Sequence, residues 1–184
     1  MEDQLIIELF FERSEQAIEE LSKKYGRLCT AVSYNILGNE EDAKECVNDT
    51  YLAAWDTIPP RRPNPLQTYI CKITRNLSLK KYHSNYAQKR NHAYDVVLEE
   101  VAGCLVSREN VEDEILVKEL SEQINEFLCT LKKIERAMFI QRYWYCTSIP
   151  EIAKKMNMST NQVTVRLYRT REKMKKYLEG KELE

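Results

Sequence analysis

The sequence has little glycine and no long apolar run. Only 4 of its 184 residues are glycine, and it lacks the regular apolar–polar alternation of β-strands. No stretch approaches the roughly 20 apolar residues of a membrane span. The first residues, MEDQLIIELFFERSE, are acidic rather than typical of a signal peptide. These absences predict an all-α, cytoplasmic protein without membrane insertion.

Patterns typical of enzymes and metalloproteins are also missing. No catalytic dyad or glycine-rich phosphate loop is present, and His83 and His92 have no Cys or carboxylate at ligand spacing. The cysteines form no C-x-x-C pair and mostly have apolar neighbours, which favours buried thiols over metal or disulfide roles. They are Cys29, Cys46, Cys71, Cys104, Cys129 and Cys146. We therefore expect no enzymatic activity, no metal and no cofactor.

What the sequence does contain is charge in blocks of alternating sign. The whole chain carries a net charge of −1. Residues 1–56 carry −8, residues 57–92 carry +8 without one carboxylate, residues 93–135 carry −7 and residues 136–184 carry +6. Because the Debye length is about 8 Å at physiological salt, distant acidic blocks do not cancel the local fields. The two cationic blocks predict two separate nucleic-acid footprints.

The second cationic block contains a predicted helix-turn-helix, residues 148–176. Ser148 with Glu151, and Ser159 with Gln162, have the spacing of capping boxes and mark two helix starts. Asn157 lies where the turn needs a residue that tolerates positive φ. Apolar side chains at helical spacing would pack the two helices together. They are Ile149, Ile152, Ala153, Met156, Met158, Val163, Leu167 and Met174.

The second helix of this motif has a polar and cationic outward face. Amides and hydroxyls near a helix N-terminus can reach base edges in a major groove, whereas later cations suit phosphates. The alternative is a solvated, basic amphipathic helix. The outward residues are Asn161, Gln162, Thr164, Arg166, Arg169 and Arg171.

Four helices are predicted in the first half of the chain. They cover about residues 3–12, 14–37 and 40–55, and a fourth starts near Leu66 after the proline-rich loop IPPRRPNP. Its exposed face carries cations and amides, and interleaved Tyr69, Tyr82 and Tyr86 would allow stacking on single-stranded nucleic acid. The alternative places these tyrosines in the core of an ordinary basic helix.

Apolar periodicity weakens between residues 91 and 110. Helical patterning then resumes from Val111 to Leu131 and from Ile134 to Tyr145, which leads into the helix-turn-helix. The sequence therefore predicts two small helical domains, residues 1–90 and 111–184, joined by a flexible linker at 91–110.

Three segments in this order resemble the sigma-70 family of bacterial RNA polymerase sigma factors, specifically the small extracytoplasmic-function group. They are ILGNEEDAKECVNDTYLAAW at 36–55, TYICKITRNLSLKKY at 68–82, and the stretch from LKKIERAMF to the helix-turn-helix at 131–176. The resemblance implies a promoter-specificity factor with sigma regions 2 and 4. It also implies core RNA polymerase (β′ clamp helices and β flap), promoter DNA and an anti-sigma factor as partners.

The same resemblance implies roles for individual residues. Core-polymerase binding falls to Asp42, Asn48, Asp49, Leu52 and Trp55, although Trp55 could instead be a core residue. Recognition of the −10 element falls to Arg61, Asn64, Lys72, Arg75, Asn76, Lys80 and Lys81. Recognition of the −35 element falls to Arg142, Ser159, Thr160, Asn161, Gln162, Thr164, Arg166, Arg169 and Arg171, with Arg142 as a phosphate contact.

Two other classes of protein share part of this pattern. A helix-turn-helix repressor or activator would explain the C-terminal half but would leave the first cationic block and the acidic third helix without a role. A polymerase-binding protein of an anti-sigma-like or phage-encoded class would use the acidic helix without reading promoters.

Overall fold

A computed structural model describes the backbone of residues 1–86, 92–102 and 114–181. Within these residues all regular secondary structure is helical and no β-strand occurs, which confirms the predicted all-α class. The chain divides into two compact units, residues 1–94 and 95–184. Each unit is described by itself.

Unit 1 is built from four helices that begin and end close to the predicted positions. They are α1 (Asp3–Phe11), α2 (Gln16–Leu37), α3 (Glu40–Thr57) and α4 (Leu66–Tyr86). The four prolines between Pro59 and Pro65 lie in the loop between α3 and α4, as expected for a residue that cannot continue a helix.

The joint between α2 and α3 follows from two adjacent residues. Gly38 ends α2 with φ 66°, a left-handed conformation that glycine adopts without strain. The Asn39 side-chain oxygen accepts hydrogen bonds from the backbone N–H groups of Glu41 and Asp42 at 2.8 and 3.0 Å. Because Asn39 satisfies the first donors of α3, the next helix begins at once.

The interior of unit 1 combines apolar packing with buried hydroxyl pairs. Thr50 of α3 lies 3.2 Å from Thr74 of α4 between hydroxyl oxygens, and Ser78 of α4 donates to Ser33 of α2 at 2.8 Å. All four side chains are fully buried. Around them the apolar core consists mainly of Ile6, Phe10, Ala17, Leu21, Tyr25, Cys29, Val47, Ala54, Ile58, Leu66 and Ile70. Directional hydrogen bonds therefore join α4 to both α2 and α3.

A helix, α5 (His92–Ala102), occupies part of the segment predicted as a linker. The sequence analysis did not predict a helix there. Tyr94, Val97 and Val101 recur at intervals of three and four, and Tyr94 and Val97 are buried, so a short apolar stripe stabilises this helix. Residues 103–110 of the predicted linker, and residue 91, lie outside the described residues.

Unit 2 contains the remaining helices. They are α6 (Glu114–Thr130), α7 (Lys133–Phe139), a π-helical turn (Ile140–Trp144), α8 (Ile149–Met156) and α9 (Thr160–Lys181). The sequence predicted a single α-helix from 134 to 145. In the structure, the last part of this segment is the π turn, in which the Tyr145 N–H donates to the Ile140 carbonyl at 3.1 Å. Such turns frequently occur at functional sites.

Helices α8 and α9 form the predicted helix-turn-helix. Asn157 takes the left-handed conformation, φ 53° and ψ 49°, at the end of α8. At the start of α8, the backbone N–H and the hydroxyl of Ser148 both donate to the Glu151 carboxylate, at 3.2 and 2.7 Å. The predicted apolar residues pack as expected, with Met174 in a neighbouring cluster with Phe127.

The cysteines are mostly buried, as predicted. Cys29, Cys46, Cys71 and Cys146 are buried, and burial raises the pKa of the Cys71 thiol to about 12. Cys129 is exposed, contrary to expectation, because it lies on the outer side of α6; Cys104 lies outside the described residues. Among the described residues, no helix is long and apolar enough to cross a membrane.

Candidate nucleic-acid interface

The start of α9 is fixed by a reciprocal cap. The backbone N–H of Ser159 donates to the Gln162 side-chain oxygen at 2.9 Å, and the backbone N–H of Gln162 donates to the Ser159 hydroxyl at 3.2 Å. The Thr164 hydroxyl donates to the Thr160 carbonyl one turn earlier, at 2.9 Å. These bonds hold the first turn of α9 rigid at the end that a major groove would receive.

Most residues predicted to contact the −35 element lie on the exposed surface of this helix. The exposed ones are Ser159, Thr160, Asn161, Gln162, Thr164, Arg166 and Arg169. The other two differ: Arg171 is half-buried, and Arg142 is only 7% exposed. Arg142 lies in the π turn rather than on α9, and its burial makes it a poor phosphate contact in this conformation.

Both of these arginines are held by Glu100 of α5. Arg142 donates to both Glu100 carboxylate oxygens, at 2.8 and 3.1 Å, and to the Thr147 carbonyl at 3.3 Å. Arg171 Nη1 lies 3.4 Å from the same carboxylate and donates to the Tyr143 hydroxyl at 2.7 Å. That hydroxyl donates to Glu100 at 3.0 Å. One carboxylate thus faces two guanidinium groups, and this Glu100 cluster (Glu100, Arg142, Tyr143, Arg171) carries an excess positive charge.

The protonation of the Glu100 cluster follows from its contacts. Burial raises the pKa of the Glu100 carboxyl, but the hydrogen bonds and charge of Arg142, helped by Tyr143 and Arg171, outweigh it and leave the pKa below its ordinary value. Burial raises the pKa of the Tyr143 hydroxyl. Glu100 is therefore ionised, and Tyr143 is a neutral donor, at neutral pH.

The sequence did not predict two residues of this surface, Glu100 and Tyr168. Glu100 belongs to the segment predicted as a linker, and nothing local in the sequence indicates which arginines it would meet. Tyr168 is 55% exposed on α9, and the Arg171 guanidinium lies 5.9 Å from its ring centroid. Its spacing of four from Thr164, on the same helix face, is the signal that could have identified it.

The first cationic block presents its side chains from α4 and the preceding loop. Arg61, Asn64, Lys72, Asn76 and Lys80 are exposed, whereas Arg75 is half-buried. Lys81 is the exception among the lysines, because its side chain is 17% exposed and pairs with Asp42, at 3.1 Å, and with Glu45, both on α3.

The two α4 tyrosines whose side chains are described, Tyr69 and Tyr82, do not form a stacking surface. Tyr82 is buried, with its ring 5.0 Å from that of Tyr94, and Tyr69 packs partly buried against the core of unit 1. The alternative that these are core residues is therefore correct for both. The Tyr86 side chain lies outside the described residues.

Helix α3 presents an acidic face with an exposed apolar residue. Asn48 and Asp49 are exposed, and Leu52 is 60% exposed. Asp42 is instead partly covered by its ion pair with Lys81. Trp55 packs edge-on against Phe10, with ring centroids 6.1 Å apart, so much of its ring belongs to the core.

Two conserved regions that define one protein family both match this chain. Sigma-70 region 2 matches residues 21–88, which lie in unit 1, and Sigma-70 region 4 matches residues 121–174, which lie in unit 2 and include the helix-turn-helix. The chain belongs to the sigma-70 family. It is a sigma factor of transcription initiation with a DNA-binding helix-turn-helix, in a family of non-enzymatic regulators that recognise promoters.

The other comparisons add little to the identification of this sigma factor. Among curated proteins, none matches its sequence. A solved structure that resembles it is "Structure of CnrH in complex with the cytosolic domain of CnrY", with 19% sequence identity, 97% of each chain covered and a TM-score of 0.45. That TM-score is too low to establish a common fold, so the family assignment rests on regions 2 and 4.

Proposed function

We propose that this sigma factor binds core RNA polymerase and directs initiation by reading a −10 element with region 2 and a −35 element with region 4. The observation that carries the proposal is the capped N-terminus of α9. It joins exposed hydroxyl and amide side chains to exposed Arg166 and Arg169 further along the helix. This order suits base edges deep in the groove and phosphates at its rim.

The −10 reader is the face formed by the proline-rich loop and α4. Its support is the exposure of cations and amides in a segment of 36 residues, 57–92, that has no carboxylate. We assign strand contacts to Arg61, Asn64, Lys72, Arg75, Asn76 and Lys80, with Lys81 available once its partners on α3 release it. Duplex DNA can be read in its groove, but an unpaired base must be held outside the stack after melting.

The polymerase-binding surface is the exposed face of α3. Leu52 supplies an apolar contact, and Asn48 and Asp49 lie beside it within one turn. An exposed apolar side chain surrounded by polar groups matches the apolar core and polar rim of an interface. We place the β′ clamp helices on this face and the β flap on region 4.

We also propose membership of the extracytoplasmic-function group. Its support is the short interval between the two family regions, residues 89–120. Membership would bring with it a cytoplasmic location and control by an anti-sigma factor. The functional division we propose is residues 1–90 for region 2 and 111–184 for region 4, with 91–110 between them.

Reconstituted transcription tests the proposal. The purified chain, added to core polymerase on a genomic fragment library, should start transcripts at a restricted set of sites that share two elements. A helix-turn-helix repressor would bind duplex DNA without polymerase and start none, and that outcome would contradict the proposal. Mapping the transcript starts would also reveal the promoter sequence.

Substitution of Arg169 tests the −35 assignment. Arg169→Ala should weaken binding to the −35 duplex by about 1 to 3 kcal/mol if the guanidinium makes a bidentate base contact, and by less if it contacts phosphate only. Fluorescence anisotropy with the mapped promoter sequence gives the affinity. Lys154→Ala, which removes an exposed cation from α8, is the matched control.

A further inference from the structure

We propose that Glu100 competes with DNA phosphate for Arg171 and Arg142, so that helix α5 lowers the affinity of region 4 for duplex DNA until its carboxylate is displaced. The proposal rests on the assignment of α9 as a DNA reader. It adds a residue outside the segment matched by region 4, since Glu100 precedes residue 121.

The geometry of the Glu100 cluster resembles that of an arginine–phosphate contact. Arg142 donates two parallel N–H···O hydrogen bonds to the carboxylate, at 2.8 and 3.1 Å. Arginine binds a phosphodiester in the same bidentate geometry. A backbone phosphate, like the Glu100 carboxylate, carries one negative charge shared by two oxygens that accept hydrogen bonds. Exchange of one anion for the other therefore preserves both charge and hydrogen-bond number.

The charge of the cluster favours such an exchange. Two guanidinium groups face one carboxylate, and the second of them, Arg171, makes the longer ion pair at 3.4 Å. Arg171 also belongs to α9, five residues after the exposed Arg166. A phosphate that approaches the flank of α9 would thus compete with Glu100 at the longer of the two ion pairs.

Helix α5 is short and only partly covered. It has only 11 residues, a length that is marginal for an isolated helix. Tyr94 and Val97 are buried, but Val96 and Leu98 of the same helix remain 42% and 44% exposed. The buried residues keep α5 folded, so only the side chain of Glu100 has to move for a phosphate to take its place.

The test compares duplex binding by the full chain and its variants across a salt series. The probe is a mixed-sequence duplex of about 30 base pairs, long enough for one region 4 footprint of roughly one helical turn. Glu100→Gln should bind roughly 5-fold more tightly, because a charge-assisted competitor has been removed. The slope of log affinity against log salt should steepen by about 0.9 for each arginine that gains a phosphate.

Two controls distinguish the loss of the Glu100 contacts from a general change in net charge. Glu99→Gln makes the same charge change one residue away at an exposed position and should change the affinity by less than about 2-fold, as a screened surface charge does. In an Arg171→Gln background, Glu100→Gln should have a smaller effect, with the change in salt slope reduced by about 0.9, because only Arg142 can then gain a phosphate. Equal effects of Glu99→Gln and Glu100→Gln, or weaker binding by Glu100→Gln at an unchanged unfolding temperature, would overturn the proposal.

A second variant covers the case in which Glu100→Gln does not fold. Tyr143→Phe keeps the ring that packs on Phe139 and removes only the hydroxyl that links Glu100 to Arg171. It should tighten duplex binding in the same direction but less, and unchanged or weaker binding by the folded variant would contradict the proposal.

The same titration includes Arg169→Ala, which tests the DNA reader itself. If Arg169→Ala weakens binding while Glu100→Gln has no effect, only the competition by Glu100 is wrong. If neither variant changes binding, the assignment of α9 as the reader is wrong as well.

Discussion

The turn between α8 and α9 depends on the backbone conformation of a single residue. Asn157 has φ 53°, which places it in the left-handed region that asparagine tolerates and most other residues avoid. The backbone N–H of Met158 donates to the Ala153 carbonyl at 2.9 Å and closes the turn. The entry angle of α9, and with it the direction of its exposed side chains, therefore depends on this one position.

Replacement of Asn157 by alanine should destabilise unit 2, whereas replacement by glycine should leave its stability nearly unchanged. Asn157→Ala should lower the free energy of unfolding of unit 2 by about 1 kcal/mol, because a Cβ without a polar side chain is strained there. Asn157→Gly should change it by only a few tenths, since glycine enters the region freely. Urea unfolding followed by Trp144 fluorescence in a Trp55→Phe background measures unit 2 alone. Equal losses for the two variants would contradict the conformational explanation.

At the scale of the helix, α3 has a buried face and an exposed face. Ala43, Val47 and Ala54 pack inward, whereas Asp49 and Leu52 face solvent. The exposed face is fixed by the packing of the buried one, so a substitution on it changes binding without changing the fold.

Charge reversal on this face should separate polymerase binding from DNA binding. Asp49→Lys should weaken association with core polymerase by roughly 10-fold, because it places a cation where a complementary surface expects an anion. Binding to a −35 duplex should survive. Glu19→Lys, an equal charge change at an exposed position of α2, is the control. Equal loss of both activities in Asp49→Lys would show misfolding or a wrong assignment; the two affinities are measured by anisotropy.

Helix boundaries could be predicted because their causes are local. Gly38, Asn39 and the Ser159–Gln162 cap act within a few residues, so each can be recognised in the sequence as a short capping motif. The burial of Arg142 could not be predicted for the opposite reason. Its cause is a contact between residues 42 apart, and sequence spacing carries no information about such a pair.

At the scale of the whole molecule, the candidate readers belong to different compact units. The −10 face lies in residues 1–94 and the −35 face in residues 95–184. Two modest footprints on one chain reinforce each other through effective concentration, which depends on the length of chain between them.

Lengthening the connection should weaken initiation without weakening either footprint. Insertion of Gly/Ser residues that doubles the segment from 91 to 110 should lower initiation at limiting protein by about 3-fold, following the −3/2 power of linker length. Affinity for a duplex with only the −35 element should not change. Transcription titrations with the insertion and with the parent chain measure the difference, and a loss of −35 affinity would point to damage within unit 2.

The hydroxyl pairs inside unit 1 have a consequence for how such a protein can change its promoter preference. An entirely apolar seam between α3 and α4 would tolerate axial slip by one turn, about 5.4 Å, because apolar contacts have no preferred direction. The hydroxyl contacts from Thr50 to Thr74 and from Ser78 to Ser33 oppose that slip. Under the proposed assignment, side chains on the outer face of α4 can therefore vary while their distance from the exposed face of α3 stays constant.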